Sequence, residues 1–397
     1  MSVRAGVRLG VRPGLPEDLL DDVRGRLGTQ PVDDAAIGAA LTAGGRVLGS
    51  DALRELTRSA RAELAGAGPL QPLLDLPGVT DVLVNGPRDV WVDRGHGLER
   101  ADLDLGTPAA VRALAVRLAA LAGQRLDDAA PICDGRLPGG ERLHAVVEPV
   151  ASAGAAVSLR VLRQSTLGLD ALVAGGAVSP GWEPLLRSLV AGRANVLVSG
   201  GTGTGKTTLL AALLGLVPPD ERVVTVEEAR ELAPVHPHVV PLVTRRANVE
   251  GAGAVSLSDL VRAALRMRPD RMVVGECRGA EVREVLLAMN TGHDGGLATV
   301  HANAVEHVPA RLEALAALAG MPRDAVAAQA AAAVDVVLHV RRLGGRRFVG
   351  AIGVVGRGPD GAGFHVEPAA WWDGDGARPA EIRDAGAWER LVRRWGP

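Results

Sequence analysis

The spacing of apolar positions along the chain changes character three times. Up to about residue 66 it is helical. Pro16, Glu17 and Asp18 open one helix with acids in its first turn, and Asp51 is placed to cap another that runs to Leu64. Between residues 67 and 163 the period shortens. Residues 80–84 alternate as a strand, Asn85-Gly86-Pro87 turns the chain, and residues 90–92 supply a hairpin partner. Residues 108–122 carry Val111, Leu114, Ala115, Leu118 and Leu121 on one helical face. Residues 136–147 then read as strand, tight turn and strand, and 156–162 as a further strand. Residues 164–182 read as a linker with a short helix. From residue 183 to 340 short apolar strands (195–199, 222–226, 271–274, 296–300 and 334–340) alternate with helices at 184–191, 208–216, 257–267, 281–289 and 307–333. That alternation predicts a mostly parallel sheet with helices on both faces. Residues 341–397 read as a strand at 347–355, a loop-like tail over 356–385 and a closing helix at 387–394. No internal repeat is present.

One strand-to-helix junction carries the clearest chemistry. Residues 195–199 form the strand, and Gly200, Gly201, Thr202, Gly203, Thr204, Gly205, Lys206 and Thr207 follow as G-x-x-x-x-G-K-[ST], with Thr208 opening a helix. This is the phosphate-loop pattern in its required setting. Backbone N–H groups and the helix dipole gather around a phosphate chain there. Lys206 is expected to reach the β- and γ-phosphates of ATP, and the Thr207 hydroxyl to ligate Mg²⁺.

Composition sharpens that assignment. The chain has 397 residues and 44 Lys plus Arg, of which Lys206 is the sole lysine. A guanidinium fork does not replace a compact ammonium in a phosphate cradle, so a chain this biased keeps lysine where arginine fails. The net charge of −2, the two phenylalanines and the absence of tyrosine argue against a surface that binds nucleic acid by charge or by base stacking. Cys133 and Cys277 are too few and too far apart for a disulfide framework or a four-cysteine zinc site. Residues 1–14 lack the apolar segment of a secretory signal, and no apolar run is long enough for a membrane span. The expectation is a cytoplasmic protein that docks on a membrane partner.

Three further constellations suit a nucleotide site. Residues 271–276 end an apolar strand on Glu276, the place of a Walker B acid that orients water or holds Mg²⁺ through water; Gly275 stands where Asp is frequent. Residues 223–228 end a second strand on Glu227 and Glu228. Residues 291–303 place His293 and His301 around a third. The two histidines lack a third ligand at metal spacing, so a hydrogen-bonding role toward the γ-phosphate is the expectation.

In this order the segments resemble the traffic ATPases of type II and type IV secretion: the phosphate loop, T-V-E-E-x-x-E, T-R-x-x-N-x-E-G, L-R-M-R-P-D-R-x-x-V-G-E, M-N-T-G-H-D-G, then T-V-H-A-N. The tight-adherence (Flp) pilus and conjugation-type branch is nearest. The resemblance covers roughly residues 70–340. It implies a RecA-like phosphate-loop domain preceded by a smaller, PAS-like α/β domain and a helical N-terminal extension. It also implies ATP hydrolysis by a hexameric ring on an inner-membrane platform protein. Carried over by position, Glu227 and Glu228 fall in the acidic box, with Glu228 where Asp is usual. Glu276 is the Walker B acid, and His293 and His301 fall in the histidine box. Arg142 and Arg160 are the small-domain arginines brought to a neighbour's nucleotide. Arg245 and Arg246 stand where the family has Arg-Pro.

Two rival readings follow from the same residues. A DNA-acting RecA- or helicase-like ATPase is opposed by the charge and the missing aromatics. A nucleotide-binding scaffold without turnover is opposed by the intact Lys206 and Glu276. No cassette-transporter signature is present.

Overall fold

The computed structural model describes residues 16–28, 32–43, 49–95, 97–152, 154–161, 167–245, 247, 252–358 and 363–397. Residues 1–14, Arg246 and Asn248 of the third segment, and part of the 164–182 linker lie outside them. The chain forms two compact units, Met1–Arg163 and Gln164–Pro397.

The first unit opens with α1 (Glu17–Leu27), α2 (Asp34–Thr42) and α3 (Ser50–Ala65). They close on one another through Leu19, Val23, Ile37, Leu41 and Ala60. Asp33 caps α2 by accepting from Ala36 N–H at 2.8 Å. Asp51 does not cap α3: the cap is Gly49, two residues earlier, so Asp51 lies in the first turn and pairs with Arg54. After the short α4 (Gln71–Leu74) come β1 (Asp81–Gly86), β2 (Asp89–Asp93), β3 (Leu98–Arg100), α5 (Pro108–Leu121), β4 (Ile132–Arg136), β5 (Arg142–Val147) and β6 (Ala155–Arg160). The strands make one antiparallel sheet in the order β3-β2-β1-β6-β5-β4. Alternation does the rest. Val82, Val84, Leu143, Ala145, Val157 and Leu159 turn inward onto Val111, Ala115 and Leu118 of α5.

The second unit runs α6 (Leu169–Ala174), α7 (Glu183–Ala191), β7 (Val196–Gly200), α8 (Lys206–Leu214), β8 (Val223–Glu227), β9 (Val239–Val243), α9 (Leu257–Ala264), β10 (Arg271–Cys277), α10 (Val282–Asn290), β11 (Leu297–His301), α11 (Val308–Leu318), α12 (Arg323–Ala333), β12 (Val336–Leu343), β13 (Arg346–Arg357), β14 (Phe364–Trp371), β15 (Glu381–Ile382) and α13 (Ala385–Trp395). Its sheet has nine strands in the order β15-β14-β13-β12-β7-β11-β10-β8-β9. The stretch from β12 to β9 is parallel, and β13, β14 and β15 add antiparallel strands. The sheet is covered on both faces, as its continuous apolar strands require. Val196 and Val198 point into one core with Leu186, Leu210 and Trp372. Leu197 points into the other, with Val261, Leu286 and Leu312.

Among the elements that differ from their sequence reading, three have a plain physical reason or consequence. The helix expected over 307–333 is two, α11 and α12, because Gly320 takes φ +69° and Pro322 follows it. The segment read as a loop-like tail contains β14, whose Phe364, Val366 and Ala370 are buried. The unforeseen β9 carries Pro241 and lies at the sheet edge, where a missing N–H is tolerated.

Candidate active site

Parallel register brings the key residues to one edge of the second unit's sheet. His301 at the end of β11 pairs with Gly200 at the end of β7. On the other side of β11, Val274 of β10 pairs with Val226 of β8, so Glu276 and Glu227 follow at the same edge. A ligand in an open α/β sheet binds at these carboxyl ends.

The phosphate loop spans this edge. Helix α8 starts at Lys206, two residues before the helix read from sequence, with Gly205 at its cap at φ +100°. Its first N–H groups are therefore free for an anion. Gly200 permits a close approach: a Cβ there would lie 2.5 Å from the Val340 carbonyl oxygen. The Lys206 ammonium is buried and donates to the carbonyls of Gly200 at 3.1 Å and Gly201 at 2.8 Å. Burial holds its pKa below the ordinary lysine value, against the pull of Glu276. Thr204 Oγ1 donates to Gly201 O at 3.0 Å. The loop is thus closed on itself by its own side chains.

Glu276, His301 and Thr202 form a chain beside it. His301 Nε2 lies 3.5 Å from Glu276 Oε1 and 3.3 Å from Thr202 Oγ1. Burial and the nearby Lys206 charge lower the His301 pKa, with Glu276 opposing. Glu276 Oε2 accepts from Arg278 Nη2 at 2.6 Å, while Oε1 is buried without a hydrogen-bond partner. Arg278 also donates to Glu228 Oε2 at 3.0 Å, so one guanidinium ties both acids. Burial works against its charge, but Glu276 and Glu228 hold its pKa above the usual arginine value. Sequence reasoning passed over Arg278; its place two residues beyond a strand-end acid was the available signal.

Glu227 is differently placed. It is buried, and its Oε1 accepts backbone N–H bonds from Glu231 at 3.0 Å and Leu232 at 2.9 Å. Among the described residues its Oε2 has no hydrogen-bond partner. Burial raises its pKa, against those two N–H bonds. His293 is not brought to the loop. It lies in the turn before β11, at the amino end of a strand whose carboxyl end faces the phosphate loop. Arg262 joins Asp259 and Glu284, bracing α9 against α10. In the first unit Arg142 and Arg160 sit directly opposite each other on β5 and β6. Both lie on the face turned away from α5, and Arg160 donates to Asp81 at 2.9 Å.

A family model described as "Type II/IV secretion system protein" matches residues 63–345. The chain belongs to that family. A Mycobacterium tuberculosis protein named for conjugal transfer is 56% identical over 316 residues, covering 78% of this chain and 90% of its own. The conjugal transfer protein TrbB of Rhizobium radiobacter is 32% identical over 289 residues, 71% of this chain and 86% of its own. Among solved structures, the pilus retraction motor PilT with bound ADP aligns with a TM-score of 0.50 at 20% identity. It covers 71% of this chain and 80% of that one. The type II/IV secretion fold is the one expected: a RecA-like domain with a mostly parallel sheet, preceded by a smaller α/β domain and a helical extension. Among the described residues no helix is long and apolar enough to cross a membrane.

Among the described residues no three His, Cys, Asp or Glu are grouped to cage a metal. Mg²⁺ needs no such cage, since it binds through one or two protein oxygens, water and phosphate oxygens. The unpartnered Oε1 of Glu276 beside the phosphate loop fits that mode.

Proposed function

We propose that this member of the type II/IV secretion family hydrolyses ATP at the phosphate loop and drives a secretion, conjugation or pilus-assembly machine. The observation that carries the reading is the buried Glu276 Oε1, which has no hydrogen-bond partner and lies 3.5 Å from His301 Nε2 beside the phosphate loop. Gly200 to Thr208 bind the phosphates, and Lys206 exchanges its two carbonyl contacts for β- and γ-phosphate oxygens. Glu276 orients the attacking water through Oε1 while Arg278 fixes its other oxygen. His301 links that carboxylate to Thr202 and so to the loop that senses the γ-phosphate. Glu227 shapes the acidic wall beside Glu276, and Glu228 steadies Arg278. Mg²⁺, held by the Thr207 hydroxyl and by Glu276 through water, supplies charge neutralisation on the phosphate oxygens when bound.

Arg142 and Arg160 extend the reading to an assembly. They are proposed to meet the nucleotide of another copy, in a homo-hexameric ring that a closed cyclic arrangement satisfies. The ring would work at the cytoplasmic side of the inner membrane on a platform protein. The decisive experiment is phosphate release from purified protein with ATP and Mg²⁺, for the native chain and for Lys206→Ala. Turnover lost in Lys206→Ala supports the reading. Turnover that requires added DNA would replace it with a DNA-acting motor, and bound but unhydrolysed ATP would replace it with a scaffold.

A further inference from the structure

The β12–β13 hairpin places two arginines beside the phosphate loop that no part of the proposed chemistry has used. β12 is hydrogen-bonded to β7 in parallel, with Val340 opposite Gly200. The residues after Val340 therefore run past the end of β7, along the loop. Arg342 and Arg347 face each other directly across the hairpin. A Cβ on Gly203 would lie 3.9 Å from Arg342 Nη1, and one on Gly205 would lie 3.7 Å from Arg347 Cδ.

Their neighbours are already engaged. The Arg341 guanidinium lies 4.8 Å from the centre of the Trp371 ring, and Arg346 donates to Gly374 O at 3.0 Å. Arg342 and Arg347 are exposed, and among the described residues neither has an acid or hydrogen-bond partner. Like charges directly opposite on paired strands destabilise a sheet, so this pair gains nothing for the fold.

The position says which part of a nucleotide they meet. Glu276 and His301 stand on β10 and β11, to one side of β7, and the hairpin stands on the other. Groups that act on the transferred phosphate lie on the first side. A nucleotide whose transferred phosphate lies on that side would extend its retained part toward the second. We propose that Arg342 and Arg347 clamp the α- and β-phosphates of a bound nucleoside di- or triphosphate, from the same chain that supplies the loop. This rests on the nucleotide-binding reading above. Two charge-assisted contacts to phosphate oxygens are strong enough to govern how long the diphosphate stays.

The test is titration of the full-length protein with fluorescent ADP and with a non-hydrolysable ATP analogue. Arg342→Gln and Arg347→Gln should each weaken both ligands by about tenfold. The double variant should lose more, while Arg346→Gln stays at native affinity. Arg347→Lys should recover part of the loss, and the melting temperature of either Gln variant should hold or rise. Unchanged ADP affinity in the double variant, or a loss confined to the ATP analogue, would overturn the clamp. So would a lowered melting temperature that tracks the loss of affinity. Lys206→Ala separates the two readings. If it abolishes ADP binding while the double Gln variant binds normally, the clamp alone fails. If native protein binds no ADP, the nucleotide reading fails with it.

Discussion

A Cβ placed on Gly275 would lie 2.9 Å from Cγ of Glu227. The glycine at the strand end, where a carboxylate is frequent in nucleotide sites, is therefore no vacancy. The neighbouring strand fills that space with its own buried acid, and Thr299 Oγ1 pins the Gly275 carbonyl at 2.6 Å. Glu227 cannot swing aside cheaply, because two backbone N–H groups hold its carboxylate. Gly275→Ala should cost about 1–3 kcal/mol by overpacking, read by chemical denaturation. In the Glu227→Ala background the same substitution should cost much less, the non-additivity of residues in contact. A Gly275→Ala protein as stable as the native chain would refute the contact.

Glu276→Gln should bind ATP with native affinity and turn it over at least ~10²-fold more slowly. His301→Ala should lower turnover less, since it acts through Glu276, and zinc-selective chelators should leave the native rate unchanged. Normal turnover in Glu276→Gln removes that residue from the mechanism.

His339 makes stability depend on pH. It is buried on β12 with Nδ1 2.9 Å from Ser199 Oγ, and burial lowers its pKa from 6.5 to about 4. The unfolded chain takes up a proton near 6.5, whereas the folded chain resists until about 4. This contribution is therefore complete above 6.5 and is lost as pH falls to about 4. The gap is worth roughly 3 kcal/mol. Denaturation of native protein and His339→Gln at several pH values should show a difference that shrinks with acid across that window. A constant difference would contradict it.

Lys206→Arg should lose nucleotide binding nearly as fully as Lys206→Ala. The ammonium is buried between two loop carbonyls, and a planar fork cannot occupy that place. Isothermal titration with ADP measures it; native affinity in the arginine variant would show that charge alone suffices.

Arg142→Ala and Arg160→Ala should fold, bind ATP and hydrolyse it poorly. Mixing Arg160→Ala with Lys206→Ala subunits should restore some activity, because a mixed interface pairs an intact loop with an intact arginine. No recovery in mixed rings shown to form would count against action between subunits.

The parallel core was legible because strand, loop and helix signals there are local: apolar runs, glycine loops and strand-end acids. Two strands were hidden by proline. Pro241 sits in the edge strand β9, and Pro368 in β14 pairs with Gly353 of β13 beside a β-bulge. Both are positions where a lost N–H goes unmissed. Asp51 failed as a cap by two residues, within the margin at which helix ends are read. Within the site, Glu276 and Lys206 announce themselves by motif. The tie through Arg278 and the meeting of Glu227 with Gly275 depend on which strands become neighbours, and sequence order does not reveal that β8 lies beside β10. His293 shares a motif with His301, but four strand residues carry the two to opposite ends of β11.

Because Lys206 is the chain's sole lysine, every amine-directed reagent has a single side-chain target, and that target lies in the phosphate loop. Acylation of Lys206, told apart from that of the chain's α-amine by peptide mapping and slowed by ADP, would report occupancy of the loop on the native sequence. The same fact makes lysine-to-lysine cross-linking uninformative about how copies assemble. Mapping an assembly of this chain calls for carboxylate- or arginine-directed chemistry instead.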